Sequence, residues 1–313
     1  MKHLSGKVVV SAGSSRTGID IDDAPAEARM LHLVSRSAPF LNYYLYIPRD
    51  RSGEGRVLVT VHGISRNARE QIDLFRRQAD DYGVILIAPV FSRETFNDYQ
   101  RLGRKGRGPR ADLALIRELN SVAVQLGVDT SRVDMFGFSG GAQFAHRFAF
   151  AHPQRVGRLV LGAAGWYTMP DKTAAYPLGI GDARGLDPVS FNAAAISRLR
   201  TLVVVGKNDD CTDDDELNRS KSVLSVQGEN RVQRARTWVE SMNVLAGKYA
   251  GPGSVELSLL PGVGHSFSQA ISDGRLAEHV FEFCYGGQGS DRQNSAYLIE
   301  AGDRRFGLSD HRP

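Results

Sequence analysis

Short apolar runs alternate with segments of helical spacing along most of this chain. Leu41 to Ile47 alternates inward and outward positions and ends at Pro48, which predicts a half-buried strand. Val57 to Val61, Val84 to Val90, Val133 to Phe138, Leu159 to Ala164 and Thr201 to Val205 are nearly continuous apolar runs. Such runs suit strands buried on both faces. Between them, Arg69 to Asp81 (Ile72, Phe75, Ala79) and Asp112 to Leu126 (Leu113, Leu115, Ile116, Leu119, Val122) carry helical spacing. Gly141 to His152 predicts a further helix, stopped by Pro153. Val232 to Leu245 predicts another helix, Ser254 to Leu260 a strand and Leu276 to Phe283 a last helix. Strands alternating with helices predict an α/β architecture, a mostly parallel central sheet with helices on both faces. Val8 to Val10 and Met30 to Val34 are expected as antiparallel edge strands.

The chemistry begins where the third of those buried runs ends. Gly137-Phe138-Ser139-Gly140-Gly141 lies between a strand pattern and a helix pattern, where a G-x-S-x-G turn exposes a serine hydroxyl. A serine attacks well only when a base takes its proton and a third group orients that base. Downstream, the run Thr201 to Val205 ends in Gly206-Lys207-Asn208-Asp209, placing Asp209 just past a strand. The strand pattern Ser254 to Leu260 is followed by Pro261-Gly262-Val263-Gly264-His265, which delivers His265 to the same edge. Ser139, Asp209 and His265 are thus the candidate catalytic triad, with Asp210 as the neighbouring alternative acid. Gly140, opening the next helix, is positioned to donate its N–H to an oxyanion.

His62-Gly63-Ile64 follows the strand Val57 to Val61 directly, and with it the chain resembles the α/β-hydrolase superfamily. The segment Val128-Asp129-Thr130-Ser131-Arg132-Val133 before the serine motif is similar to that of the poly(3-hydroxybutyrate) depolymerase-like and feruloyl-esterase-like group. The resemblance implies an α/β-hydrolase fold with a small cap insertion and a serine esterase acting through an acyl-enzyme. It also implies that the Ile64 N–H is the second oxyanion donor and that the His62 imidazole braces the turn. Ile64-Ser65-Arg66-Asn67 departs from the cysteine- and glycine-rich version common in that group. An acyltransferase or peptidase on the same scaffold, or a non-catalytic ligand-binding protein, are the alternative readings.

Composition narrows the setting. A chain of 313 residues with 42% hydrophobic residues suits one large domain, taken as residues 1–285 with 166–198 as the cap insertion. Residues 286–313 are polar and read as a C-terminal tail. No apolar run approaches the ~20 residues of a membrane span, and no secretory leader is evident at the N-terminus. Two cysteines make no disulfide framework, so a cytoplasmic protein is expected. A net charge of +4 does not point to nucleic acid. The expected partner is a small-molecule ester, with no cofactor and no metal.

Substrate contacts are expected in loops above the sheet. Trp166 and Tyr167 begin the insertion and either wall an acyl pocket or pack the cap onto the core. The loop from Phe91 to Arg110 holds Arg101, Arg104, Lys105, Arg107 and Arg110, guanidinium and ammonium groups suited to anionic substrates, and Arg110 is the candidate contact. The acidic run Asp209 to Glu216 predicts a helix capped by Thr212 with acids in its first turn. His146 reads as an interior group and Cys211 as a small apolar filler.

Overall fold

Eight strands form a single sheet in the order β1-β2-β4-β3-β5-β6-β7-β8 in the computed structural model, which describes residues 29–51, 55–183, 185–250 and 253–287. The strands are β1 (Arg29–Val34), β2 (Asn42–Ile47), β3 (Val57–Val61), β4 (Ile85–Val90), β5 (Val133–Phe138), β6 (Val156–Gly162), β7 (Arg200–Gly206) and β8 (Val255–Leu260). From β4 to β8 every neighbouring pair is parallel; β2 runs antiparallel to both β1 and β4. Strands β3 and β4 bury nearly every side chain, as their unbroken apolar sequences require. Met30 to Val34 forms the expected edge strand; Val8 to Val10 lies outside the described residues.

The main helices are α1 (Ala68–Tyr82), α2 (Ala111–Leu126), α3 (Gly140–Ala151), α6 (Arg231–Lys248) and α8 (Leu276–Tyr285). Shorter ones are α4 (Ala193–Ile196), α5 (Lys221–Gln227) and α7 (Phe267–Ser272). Helices cover both faces of the sheet, each over its own aromatic cluster. Phe75 of α1 packs edge-on against Phe136 of β5 at 5.0 Å and against Phe281 of α8 at 5.8 Å. In the other cluster Trp238 of α6 stacks on Tyr167 at 5.0 Å and meets His146 of α3 at 6.0 Å. Gly83 ends α1 and Gly127 ends α2, both in the left-handed conformation that glycine adopts without a Cβ penalty.

Two local expectations are corrected. No helix starts at Thr212; residues 212–217 form bends and turns, and the next helix, α5, starts at Lys221. The acids of this segment serve other partners, Asp213 taking the Cys211 thiol and Asp214 a buried guanidinium. Cys211 is exposed rather than a core filler. The described residues between 163 and 192 carry no helix or strand but send Tyr167, Met169, Tyr176 and Leu186 into the core. Of the C-terminal stretch, residues 288–313 lie outside the described residues.

Candidate active site

Ser139 sits between the end of β5 and the first turn of α3 with φ 53° and ψ −114°, a strained backbone for a residue with a side chain. The strand and helix cross so closely that only glycines fit beside it. A Cβ on Gly137 would lie 2.3 Å from the Gly141 carbonyl oxygen, and one on Gly141 would lie 1.9 Å from that of Val61. The Ser139 N–H donates to the Gly162 carbonyl of β6 at 2.7 Å, which ties the turn to the sheet. These contacts hold the hydroxyl above the carboxyl ends of the parallel strands.

His265, in the loop after β8, places Nε2 3.1 Å from Ser139 Oγ. Its Nδ1 lies 2.7 Å from Oδ2 of Asp209, which follows β7 and is almost completely buried. The ring stacks on Phe138 at 5.5 Å. Asp209 is anchored through its own N–H on the Gly206 carbonyl, while Asp210 is exposed. The structure therefore brings Ser139, His265 and Asp209 into one hydrogen-bonded line.

Two backbone N–H groups flank that line. Gly63 passes directly over the serine, since a Cβ there would stand 3.5 Å from Ser139 Cβ, and this brings the Ile64 backbone alongside. Gly140 opens α3, whose first N–H groups have no intrahelical acceptor. Neither the Ile64 nor the Gly140 N–H is taken by a backbone carbonyl among the described residues. Gly140 has its own steric reason to be glycine: a Cβ would meet Gln100 Nε2 at 2.6 Å and Tyr99 Oη at 2.8 Å.

His62 braces this turn. Its Nδ1 lies 2.7 Å from the Gly63 carbonyl, while its Nε2 accepts the Phe91 N–H at 3.0 Å. One nitrogen must be a donor and the other an acceptor, so the ring is neutral. Burial, aided by the nearby Arg66 charge, pushes its pKa down to about 4 against the pull of the Gly63 hydrogen bond. The native state then resists protonation where the unfolded chain accepts it. Stability contributed by neutral His62 is therefore complete above about pH 6.5 and is lost as pH falls toward 4, by about 3 kcal/mol in all. Urea unfolding at pH 7.5 and pH 4.5 should show this loss, and the dependence should flatten in His62→Gln. An unchanged slope in that variant would exclude the assignment. Buried His146, also held well below its ordinary value by burial, retains part of the slope in either case.

The cavity in front of Ser139 has a volume of about 350 Å³. Ile64, Phe138 and Phe267 form its apolar part, and Glu70, Arg93 and Glu216 supply charge. Trp166, Tyr167 and Arg110 do not line it. The Trp166 ring carries the buried Arg147 guanidinium 4.2 Å above it, and Tyr167 is fully buried against Trp238. Arg110 is held by buried Asp112 at 2.5 Å and by the Leu186 carbonyl at 2.7 Å. Arg101 and Arg104 are likewise paired, both with Asp98. The loop from Phe91 to Arg110 thus acts mainly as scaffold: Phe91 stacks on Tyr99 at 5.2 Å, and Tyr99 Oη donates to the His62 carbonyl. Arg93, which the sequence did not distinguish from its neighbours, is the one basic residue of this loop that lines the cavity.

No protein-family model matches the sequence. Feruloyl esterase B of Talaromyces funiculosus is 29% identical over 117 residues, 36% of this chain and 33% of that protein. An uncharacterised protein of Mycobacterium tuberculosis is 31% identical over 133 residues, 41% of this chain and 36% of that protein. The matches span about a third of the length of these curated relatives. Among solved structures, poly(aspartic acid) hydrolase-1 from Sphingomonas sp. KT-1 superposes with a TM-score of 0.69 at 24% identity, covering 82% of this chain and 99% of that one. The poly(3-hydroxybutyrate) depolymerase of Bordetella parapertussis gives a TM-score of 0.67 at 23% identity, covering 85% and 92%. With this sheet order, the strand-to-helix turn at Ser139 and these similarities, the chain has the α/β-hydrolase fold and is related to feruloyl esterase B in sequence and to the poly(3-hydroxybutyrate) depolymerase in fold.

Proposed function

We propose that the protein is a serine hydrolase that cleaves small carboxylic esters through an acyl-enzyme. The observation that carries this reading is the continuous line Ser139 Oγ, His265 Nε2, His265 Nδ1, Asp209 Oδ2, with contacts of 3.1 and 2.7 Å. His265 accepts the Ser139 proton as Oγ attacks the ester carbonyl, and Asp209 holds the donor on Nδ1 and stabilises the imidazolium. The Ile64 and Gly140 N–H groups receive the oxyanion, helped by the positive end of α3. The imidazolium then protonates the departing alkoxide. Water, activated by the same imidazole, attacks the acyl-enzyme and restores Ser139. A cavity of about 350 Å³ lined in part by Ile64, Phe138 and Phe267 suits a small ester, and the relation to feruloyl esterase B supports the ester class.

A fluorophosphonate probe tests the reading. Stoichiometric labelling, mapped to Ser139 by peptide mass, is expected together with hydrolysis of p-nitrophenyl acetate. Labelling at another serine, or no labelling of folded protein, would exclude it.

A further inference from the structure

The acidic run after Asp209 is a sequence motif that ester hydrolysis leaves unused, and the structure shows where one of its members goes. Arg231, the first residue of α6, is 2% exposed and places Nη1 between two carboxylates. It lies 3.2 Å from Asp209 Oδ1 and 2.6 Å from Asp214 Oδ2. Asp209 Oδ2 is already occupied by His265 Nδ1. Each oxygen of Asp209 therefore has its own donor, and the carboxylate cannot rotate without breaking one of the two bonds.

A guanidinium alone against Asp209 would work against the mechanism. Asp209, Arg231 and an imidazolium would sum to +1 in a nearly dry site, opposing the proton that His265 must carry. Asp214 removes that penalty. The four groups sum to −1 with a neutral imidazole and to 0 with an imidazolium, the same count as an Asp–His pair by itself. Partial burial raises the Asp214 carboxyl, but the Glu216 N–H, Arg231 and the charge of His265 together hold it below the usual carboxylate range. The contacts run in series, Asp214 to Arg231, Arg231 to Asp209 and Asp209 to His265, so the Asp214 charge reaches the imidazole across this bridge.

From this arrangement, and resting on the ester-hydrolase reading above, we infer that Arg231 and Asp214 are positioning residues: Arg231 locks Asp209 onto His265, and Asp214 supplies the compensating charge that sets the acidic limb of catalysis. Other groups face this cluster without bridging it. Arg234, buried on α6 near Arg231, is held by the Gly228, Gly165 and Asn218 carbonyls and adds a positive charge that is the same in every variant. Ser139 faces His265 from the turn before α3, and Glu70, Arg93 and Glu216 share its cavity. Tyr167 lies behind Asp209; burial, and then the Asp209 charge, push its phenol above the ordinary range, so it stays neutral.

The test is the pH profile of kcat/KM for p-nitrophenyl acetate, with thermal unfolding as the folding control. Asp214→Asn removes a negative charge from the bridge that ends at His265 and is expected to move the acidic limb down by about half to one pH unit. Arg231→Met removes the opposing positive charge and should move the limb up by about the same amount. It should also lower kcat about tenfold with little change in KM, because Asp209 loses its lock. Arg231→Lys keeps the charge without the fixed fork, so its limb should stay near that of the wild type while kcat falls. Opposite displacements in the first two variants are not produced by a purely structural role. Asp214 is partly exposed and its variant folds more readily, so it decides the matter if Arg231→Met does not fold. An Asp214→Asn limb that stays in place or moves up overturns the inference. Full activity in Ser139→Ala would instead overturn the hydrolase reading itself, so the two failures are distinguishable.

Discussion

Replacing Ser139 with alanine is expected to reduce kcat for p-nitrophenyl butyrate by about 10⁶-fold, leaving a residue of rate from binding and oxyanion contacts alone. The loss follows from removing the hydroxyl that meets His265 Nε2. The fold should survive, because the turn is held by elements the substitution leaves alone. The N–H of residue 139 keeps its bond to Gly162, and the close crossing of β5 and α3 depends on Gly137 and Gly141. Thermal unfolding within a degree or two of the wild type, combined with lost turnover, is the expected pair of results. More than a tenth of wild-type turnover in pure protein would refute the role given to Ser139.

Asp209→Asn should be nearly as damaging, about 10⁴-fold in kcat, and for a different reason. Asp209 has donors on both oxygens, Arg231 on Oδ1 and His265 on Oδ2. An asparagine must turn its carbonyl oxygen toward Arg231, because a guanidinium cannot accept a hydrogen bond. The amide NH₂ then faces His265 Nδ1, and the imidazole must move its proton to Nε2 to accept from it. That tautomer points a proton at Ser139 and cannot take one. Ring-nitrogen NMR shifts of His265 should report the exchanged tautomer while the fold remains unchanged. A loss smaller than about tenfold would move the acid role to Asp210, which is exposed and makes no bond to His265 in this structure.

Much of the scaffold was legible because central strands have a one-dimensional signature. A parallel strand buried on both faces must be apolar at every position, and Leu202-Val203-Val204-Val205 is so buried in β7. The same logic located Ser139, Asp209 and His265, since each follows such a run by a few residues and a strand's carboxyl end leads to the cleft side of the sheet. Glycine carried the remaining signal, with Gly137 and Gly141 marking a crossing too close for a Cβ.

The misreadings have a common cause. Charge along the segment 209–216 resembled a helix start, yet Asp214 turns to Arg231, seventeen residues on and across the loop. Arg110 looked available for substrate until Asp112 and the Leu186 carbonyl were found to hold it. Trp166 and Tyr167 follow a strand, as a pocket wall would, but Arg147 and Trp238 claim their faces. Periodicity and strand ends are properties of neighbouring residues, so the amino-acid order alone was sufficient for the central strands, the five main helices and the position of three residues above the sheet's rim. Which guanidinium meets which acceptor, and which ring is covered, depends on groups far apart in the chain, 76 residues for Arg110 and the Leu186 carbonyl. Those pairings exist only once the chain has packed.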